Sequence, residues 1–169
     1  MNIFMTFGTE NFLHKIIEKR PEESMILLHG EETALLIHET EGQTVFNQPR
    51  SYEVFVESGT MTQEGFFVFN NIPVSEEGRP VFEHRFKSRA GLIDKEPGFI
   101  AIRVLRPVNS DIYVVLTQWD SEDSFKNWQS SQAYNKAHEK RGTDQGLDHQ
   151  KTIFPRASFV TKYIGQKEQ

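Results

Sequence analysis

The 169-residue chain contains no cysteine. That absence excludes disulfides, thiolate metal sites and a cysteine nucleophile together, and it fits a reducing compartment. Basic residues are outnumbered, 19 Lys and Arg against 24 Asp and Glu, for a net charge of −5. A nucleic-acid partner therefore has no global electrostatic support. No apolar run is long enough to span a bilayer. The opening M-N-I-F-M-T-F-G-T-E has no basic leader and its apolar run breaks at Thr6, so it does not read as a signal peptide. A cytoplasmic protein with no membrane partner is the expectation. Also missing are H-E-x-x-H, G-x-S-x-G, a P-loop and G-x-G-x-x-G, which removes the common zinc-hydrolase, serine-hydrolase and nucleotide-binding signatures.

What the chain does have is phenylalanine, 14 residues of it, much of it in strand-like runs. That points to a core built from sheet faces. Asn2 to Phe7 reads as a strand closed by Gly8. Thr9 can cap a helix whose Phe12, Leu13, Ile16 and Ile17 fall on one face, stopped by Lys19, Arg20 and Pro21. Ser24–His29 and Ala34–Glu39 read as a hairpin across G-E-E-T. Val45–Phe46 and Tyr52–Val56 read as further short strands, separated by Pro49. His29 and His38 read as strand-surface residues.

From Gly65 the pattern restarts. Phe66–Phe69 is a strand running into N-N-I-P-V. Ser75 can cap a helix with Glu76 and Glu77 in its first turn and Val81, Phe82 and Phe86 on its apolar face. Pro97-Gly98 makes a turn. Phe99, Ala101, Arg103 and Leu105 then alternate on one strand face. Ile112–Trp119 is the most hydrophobic strand. Two short helices are expected next, one capped by Asp120 or Ser121 and one by Ser130 or Ser131. Residues 142–152 read as a mobile loop, and Phe159–Ile164 as the last strand.

The second half thus has the ferredoxin-like order β-α-β-β-α-β. The expected fold class is α+β, with a boundary near residues 57–64. Residues 1–64 would form a divergent half that completes the sheet packing for residues 65–169. If that half supplies the second sheet internally, the chain is a monomer.

The stretch between Trp119 and Arg141, W-D-S-E-D-S-F-K-N-W-Q-S-S-Q-A-Y-N-K-A-H-E-K-R, carries the chemistry. Phe125 and Trp128 lie three apart on the first short helix, and Tyr134 and His138 four apart on the second, so each pair shares a face. An imidazole beside an indole wall suits a large flat ligand. Taken singly, each residue has a plain structural reading. Trp128 would be core, Asn70 a strand end, and His138 a solvated helix residue.

Together they match a pattern. An Asn closing the opening strand, then a Trp and a His ten apart, are met by N-N-I-P-V, F-K-N-W-Q-S-S and Y-N-K-A-H-E-K. The chain thereby resembles the antibiotic-biosynthesis-monooxygenase superfamily, whose ferredoxin-like domains pair into an α+β barrel. Within it the chain resembles the Isd-type haem-degrading monooxygenases. The N-terminal G-E-E-T-A-L-L-I-H-E-T-E-G makes it most similar to the HmoB-type members. Aligning on I-P-V selects Asn70 for the Asn position, whereas counting back from Gly78 without a gap selects Asn71.

The resemblance implies a haem that is substrate and cofactor at once, with O2 and an external electron donor. His138 would be the axial ligand of the haem iron, Asn70 the distal amide donor, and Trp128 the wall that presses the porphyrin out of plane. Phe125 and Tyr134 would line the pocket. Lys136, Lys140 and Arg141 read first as a solvated helix end and second as contacts for propionates. With no dinucleotide fingerprint, a separate reductase is implied. The products would be a bilin and released iron. The alternatives are a haem-binding protein that does not degrade its ligand, and a cofactor-free monooxygenase of the same superfamily.

Overall fold

The structure is a computed structural model and describes residues 1–89, 91–131 and 153–167. Its elements run β1 (Asn2–Gly8), α1 (Glu10–Lys19), β2 (Met25–His29), β3 (Ala34–Thr40), β4 (Arg50–Gly59), β5 (Gly65–Pro73), α2 (Arg79–Ser88), β6 (Phe99–Pro107), β7 (Ile112–Trp119), α3 (Glu122–Gln129) and β8 (Phe159–Gly165). The eight strands close into one antiparallel barrel in the order β1-β3-β2-β8-β5-β7-β6-β4. Each half contributes four adjacent strands. Numbered within its own half, each sheet reads 4-1-3-2, so the ferredoxin-like order occurs twice. The second half keeps its closing helix, α3, whereas the first half joins β3 to β4 through residues 41–49 without one.

The halves meet at two unequal seams. At one, β4 and β6 pair continuously from Tyr52–Pro107 to Gly59–Ala101, with a bulge between Val54 and Val56. At the other, β2 and β8 pair only through Leu28–Gly165 and His29–Ile164. Gln63, in the link between β4 and β5, extends that short seam. Its amide nitrogen, Nε2, donates to Leu27 O (2.8 Å) and Gln166 O (3.0 Å), and its Oε1 accepts from Leu27 N (3.1 Å). One side-chain amide thus does what a strand residue would do for Leu27, leaving neither backbone group unpaired.

Inward-facing residues of both sheets form one core. Ile3, Met5, Leu28, Leu35, Ile37, Phe67, Leu105 and Leu116 are all buried there. At one end of the lumen the buried Arg103 is fully engaged. It meets Glu39 at 2.8 Å and donates to Ser58 O and Ile102 O at 3.1 and 2.8 Å. Such a charge is tolerable away from water only because each of these bonds is made. Outside the barrel, α1 packs Leu13 against Leu27 and Leu36. On the other sheet, α2 packs Phe82 against Ile72, Val74 and Tyr113.

Several local expectations give way to tertiary context. Val45–Phe46, expected as a short strand, is not one, and the strand expected at Tyr52–Val56 runs longer, over Arg50–Gly59. His38 is fully buried, not a surface residue. It lies between Phe4 and Phe46, with Nε2 2.8 Å from Glu23 Oε2 and Nδ1 3.3 Å from Thr44 Oγ1. The chain that replaces a second helix here is what covers it. α2 starts at Arg79, after a turn in which Ser75 Oγ accepts from Gly78 N, so Glu76 and Glu77 precede the helix. Pro80 explains the delay: lacking an N–H, it fits a first turn and not a helix interior. Val81 and Phe12 are exposed at 44% and 56%, off the packed faces assigned to them. A bulge between Phe99 and Ala101 breaks the expected alternation. Phe99 turns outward onto Trp119 while Ala101, Arg103 and Leu105 stay inside.

One polar cluster fastens α2 to the sheet. Arg106 on β6 donates to Glu83 on α2 through Nε and Nη2, with Nε to Oε2 at 2.9 Å, and the buried Tyr113 hydroxyl donates to the same carboxylate. The Arg106 hydrogen bonds, aided by Tyr113, hold the Glu83 carboxyl below its usual range. Burial, then Glu83, pushes the Tyr113 phenol up. A depressed carboxyl contributes stability above its unfolded pKa, about 4.3, and loses it as pH falls through the lower folded value. Glu83→Gln should therefore cost about 1–3 kcal/mol near neutral pH. The gap to the parent should begin to narrow in acid near the unfolded value and close only below the lower folded one. Urea unfolding of both proteins across that range checks it, and a pH-independent gap would refute the assignment.

Candidate functional site

The two faces of β5 do different things. Phe67, Phe69 and Asn71 point into the lumen, whereas Phe66, Val68, Asn70 and Ile72 face outward. Asn71 is buried and its Nδ2 lies within hydrogen-bonding distance of Phe69 O (3.2 Å), Phe159 O (3.1 Å) and Thr161 Oγ1 (3.2 Å). It is part of the inner wall. Asn70 is half-buried, paired in register with Val115 on β7 and Val160 on β8. Its amide makes no hydrogen bond among the described residues. Of the two asparagines left open by the sequence, Asn70 is the one on the helix-bearing face.

An aromatic cluster stands on the same face. Ser121 caps α3 by accepting from Ser124 N at 3.2 Å, and Glu122 and Asp123 fill the first turn. The helix places Phe125 over Phe66 (ring centroids 5.9 Å) and Trp128 over Trp119 (5.4 Å, interplanar 34°). Trp119 is fully buried, its Nε1 donating to Thr117 Oγ1 at 3.1 Å. These contacts give Trp128 a stiff backing. Tyr134 and His138, together with Lys136, Lys140 and Arg141, lie outside the described residues, as do the expected second helix and the 142–152 loop. No cluster of metal-ligating side chains occurs among the described residues.

One contributor was missed by sequence reasoning. Lys162 on β8 lies opposite Val68, with Nζ 5.8 Å from the Phe125 ring centroid. Its neighbours on that strand face, Val160 and Ile164, are exposed at 53% and 52%. The alternation V-T-K-Y-I was the available signal: a cation in register with two outward-facing apolar residues. The surface as a whole therefore offers an aromatic block, an unengaged amide and a cation beside exposed aliphatic side chains. Chemically, that suits a flat apolar ligand carrying an anionic edge.

Comparison with known proteins supports a family relation for this half of the chain. Residues 65–140 match the antibiotic biosynthesis monooxygenase family model. The chain is 25% identical over 151 residues to a heme-degrading monooxygenase of Listeria monocytogenes, spanning 88% of this chain and 90% of that protein. It is 26% identical over 133 residues to the signal transduction protein TRAP of Staphylococcus aureus, spanning 79% and 80%. The solved structure of a major regulator of staphylococcal pathogenesis superposes with a TM-score of 0.86 at 24% identity, over 99% of this chain and 100% of that one. That last likeness establishes the shared fold.

Gly98 sets where α3 begins, because its carbonyl accepts from Asp120 N at 2.9 Å. Its φ is +82°, and a Cβ there would lie 2.2 Å from Ser124 Oγ and 2.6 Å from Asp120 Oδ1. Gly98→Ala should lower stability by about 1–3 kcal/mol through strain and displacement of the α3 start. It should also weaken the near-ultraviolet dichroism of the stacked Trp119 and Trp128. An unchanged spectrum and melting temperature would show that α3 is positioned otherwise.

Proposed function

We propose that this chain, whose residues 65–140 match a monooxygenase family model, is a haem-degrading monooxygenase with haem as its substrate. The observation that carries the reading is the helix-bearing face of the second sheet, which carries both the Asn70 amide, without a partner among the described residues, and a tryptophan braced by Trp119 and Phe125. The described residues fit the ligand. A porphyrin is flat and apolar, matching Trp128 and the exposed Val160 and Ile164 of the same sheet face, and its propionates are anionic, matching Lys162. The 25% identity to a heme-degrading monooxygenase over most of both chains adds to this.

When bound, haem would supply the iron that activates O2 and the ring that is opened to a bilin-type product with release of iron. The protein's part is binding and orientation. His138 is proposed to hold the iron from one side, fixed by its place ten residues after Trp128. Asn70 is proposed to present its amide N–H to the oxygen side. Trp128, backed by Trp119 and Phe125, is proposed to press on the ring, with Phe125 and Tyr134 lining the pocket. Electrons are proposed to come from a separate reductase. Residues 1–64 then serve as the half that closes the barrel, residues 65–169 as the haem-degrading half, and the chain works as a cytoplasmic monomer.

A second reading is a haem-binding protein that does not turn its ligand over. It is favoured by the equally similar relative, the signal transduction protein TRAP, whose name denotes regulation and not catalysis. Haemin titration separates the cases. A Soret band should appear with the parent and be lost on adding reductant in air, with iron released. A stable band under those conditions would favour the second reading. No band at all would leave the cofactor-free alternative.

The asparagines provide a sharper check. Asn70→Ala should retain haemin binding and slow turnover by roughly a hundredfold, as loss of a positioned donor does. Asn71→Ala should leave turnover near the parent value in the fraction that folds. His138→Ala should abolish tight binding. Equal turnover by the parent and the Asn70 variant would remove Asn70 from the site. The monomer proposal is checked by sedimentation, which should give a mass near 19.6 kDa and not twice that.

A further inference from the structure

The lumen is packed at its Arg103 end and hollow at the other. A cavity of about 770 Å³ opens there, within the range of small-molecule sites. Its floor is apolar, formed by Met5, Leu35, Phe69 and Val114. Its walls are not. Asn71, Thr161, Tyr52 and Tyr163 line it, and Arg50 stands at the mouth. This space lies on the opposite side of β5 from Asn70, so it is separate from the haem face.

Arg50 is the cation that lines this cavity. It is exposed, its Cζ sits 4.5 Å from the Phe7 ring centroid, and it forms no ion pair with a carboxylate among the described residues. Elsewhere in the described structure, Arg103, Arg106 and Arg156 are all matched with acids. The Arg50 charge reaches both tyrosines that line the cavity. Burial nevertheless pushes both phenols up, so they remain neutral hydroxyl donors near neutral pH. A guanidinium and two O–H groups above an apolar floor make a head-and-body arrangement. The head is a set of donors in a protein whose net charge is −5.

We propose that the barrel lumen is a second binding site, for a small amphipathic carboxylate. Its carboxylate would meet Arg50 and the Tyr52 and Tyr163 hydroxyls, and its apolar body would lie on Phe69, Leu35 and Val114. The body could be an alkyl chain or an aromatic ring system, both of which this floor accepts. A single Arg with flanking hydroxyls favours one planar anionic group over a cationic or neutral head.

The test is calorimetric titration of the full chain with decanoate, 2-naphthoate and, as an uncharged control, decanol. At least one carboxylate should bind with one-to-one stoichiometry, and decanol should bind more weakly than decanoate. Arg50→Glu, a change at an exposed position, should weaken the carboxylate by at least about tenfold and leave the melting temperature of the free protein near the parent's. Chemical-shift changes should centre on Phe69, Val114 and Tyr163. Preference for decanoate or for naphthoate identifies the body. Absence of binding by both acids, equal affinity in Arg50→Glu, or equal affinity for decanol would overturn the proposal. Repeating the titration with haemin present keeps the two sites distinct. Unchanged carboxylate affinity is expected, and competition with haemin would also overturn the lumen assignment. Failure of the protein to bind haemin leaves this test intact.

Discussion

Closure of the barrel is the constraint on which everything else in this molecule depends. A four-stranded sheet with helices on one face still has a second apolar face to bury. Each half here solves that for the other. The second strand of each sheet meets the fourth strand of its mate, which leaves no edge unpaired and places both inner faces around one lumen. The two seams are not equivalent. The β4–β6 seam is held by backbone along its whole length, whereas the β2–β8 seam is short and is continued by the Gln63 amide. Gln118, fully buried beneath the same link, adds to it by donating to Thr62 O and Glu64 O and accepting from Thr62 N. The link between the halves is therefore part of the wall.

Closure also gives one strand two different faces. Because side chains alternate, the adjacent asparagines of β5 cannot share a surface. Asn71 becomes a bonded element of the lumen wall, and Asn70 an amide on the outer face without a partner among the described residues. A one-residue slip of β5 would exchange these roles and bury Asn70 instead. The register with β7 and β8 forbids it, since Phe67 and Phe69 would then leave the core. The slip would also bring Phe66 and Val68, which pack against Trp119 and Phe125, into the lumen, so both faces of β5 oppose it.

The two helices on the second sheet are fastened by different means. α2 is tied by the Glu83, Arg106 and Tyr113 cluster over an aromatic patch, and α3 by a serine cap, the Gly98 carbonyl and stacked rings. Fixed polar contacts suit α2, whose exposed Val81 shows that its buried face is narrow. Ring packing suits α3, where Phe125 and Trp128 supply most of the buried surface. Both arrangements keep the outer face of β5 bordered by rigid elements, the condition for holding a flat ligand in one orientation.

Local chemistry was legible without coordinates. Thr9 and Ser121 cap the helices read from them, the turn at Pro97-Gly98 is real, and the β-α-β-β-α-β order of the second half follows from apolar periodicity. Each of these depends on residues within a few positions of one another. What required the tertiary structure was everything set by a partner far along the chain. His38 is buried because residues 41–49 fold over it, and Phe99 turns outward because β6 bulges against β7. Which of Asn70 and Asn71 faces the helices rested on register with strands 45 and 90 residues away, and the cavity above Phe69 on the curvature of eight strands at once. Sequence patterns report which side of an element is apolar. Only closure of the sheet decides what that side faces, because the energy that selects it comes from burial against residues that the pattern does not contain.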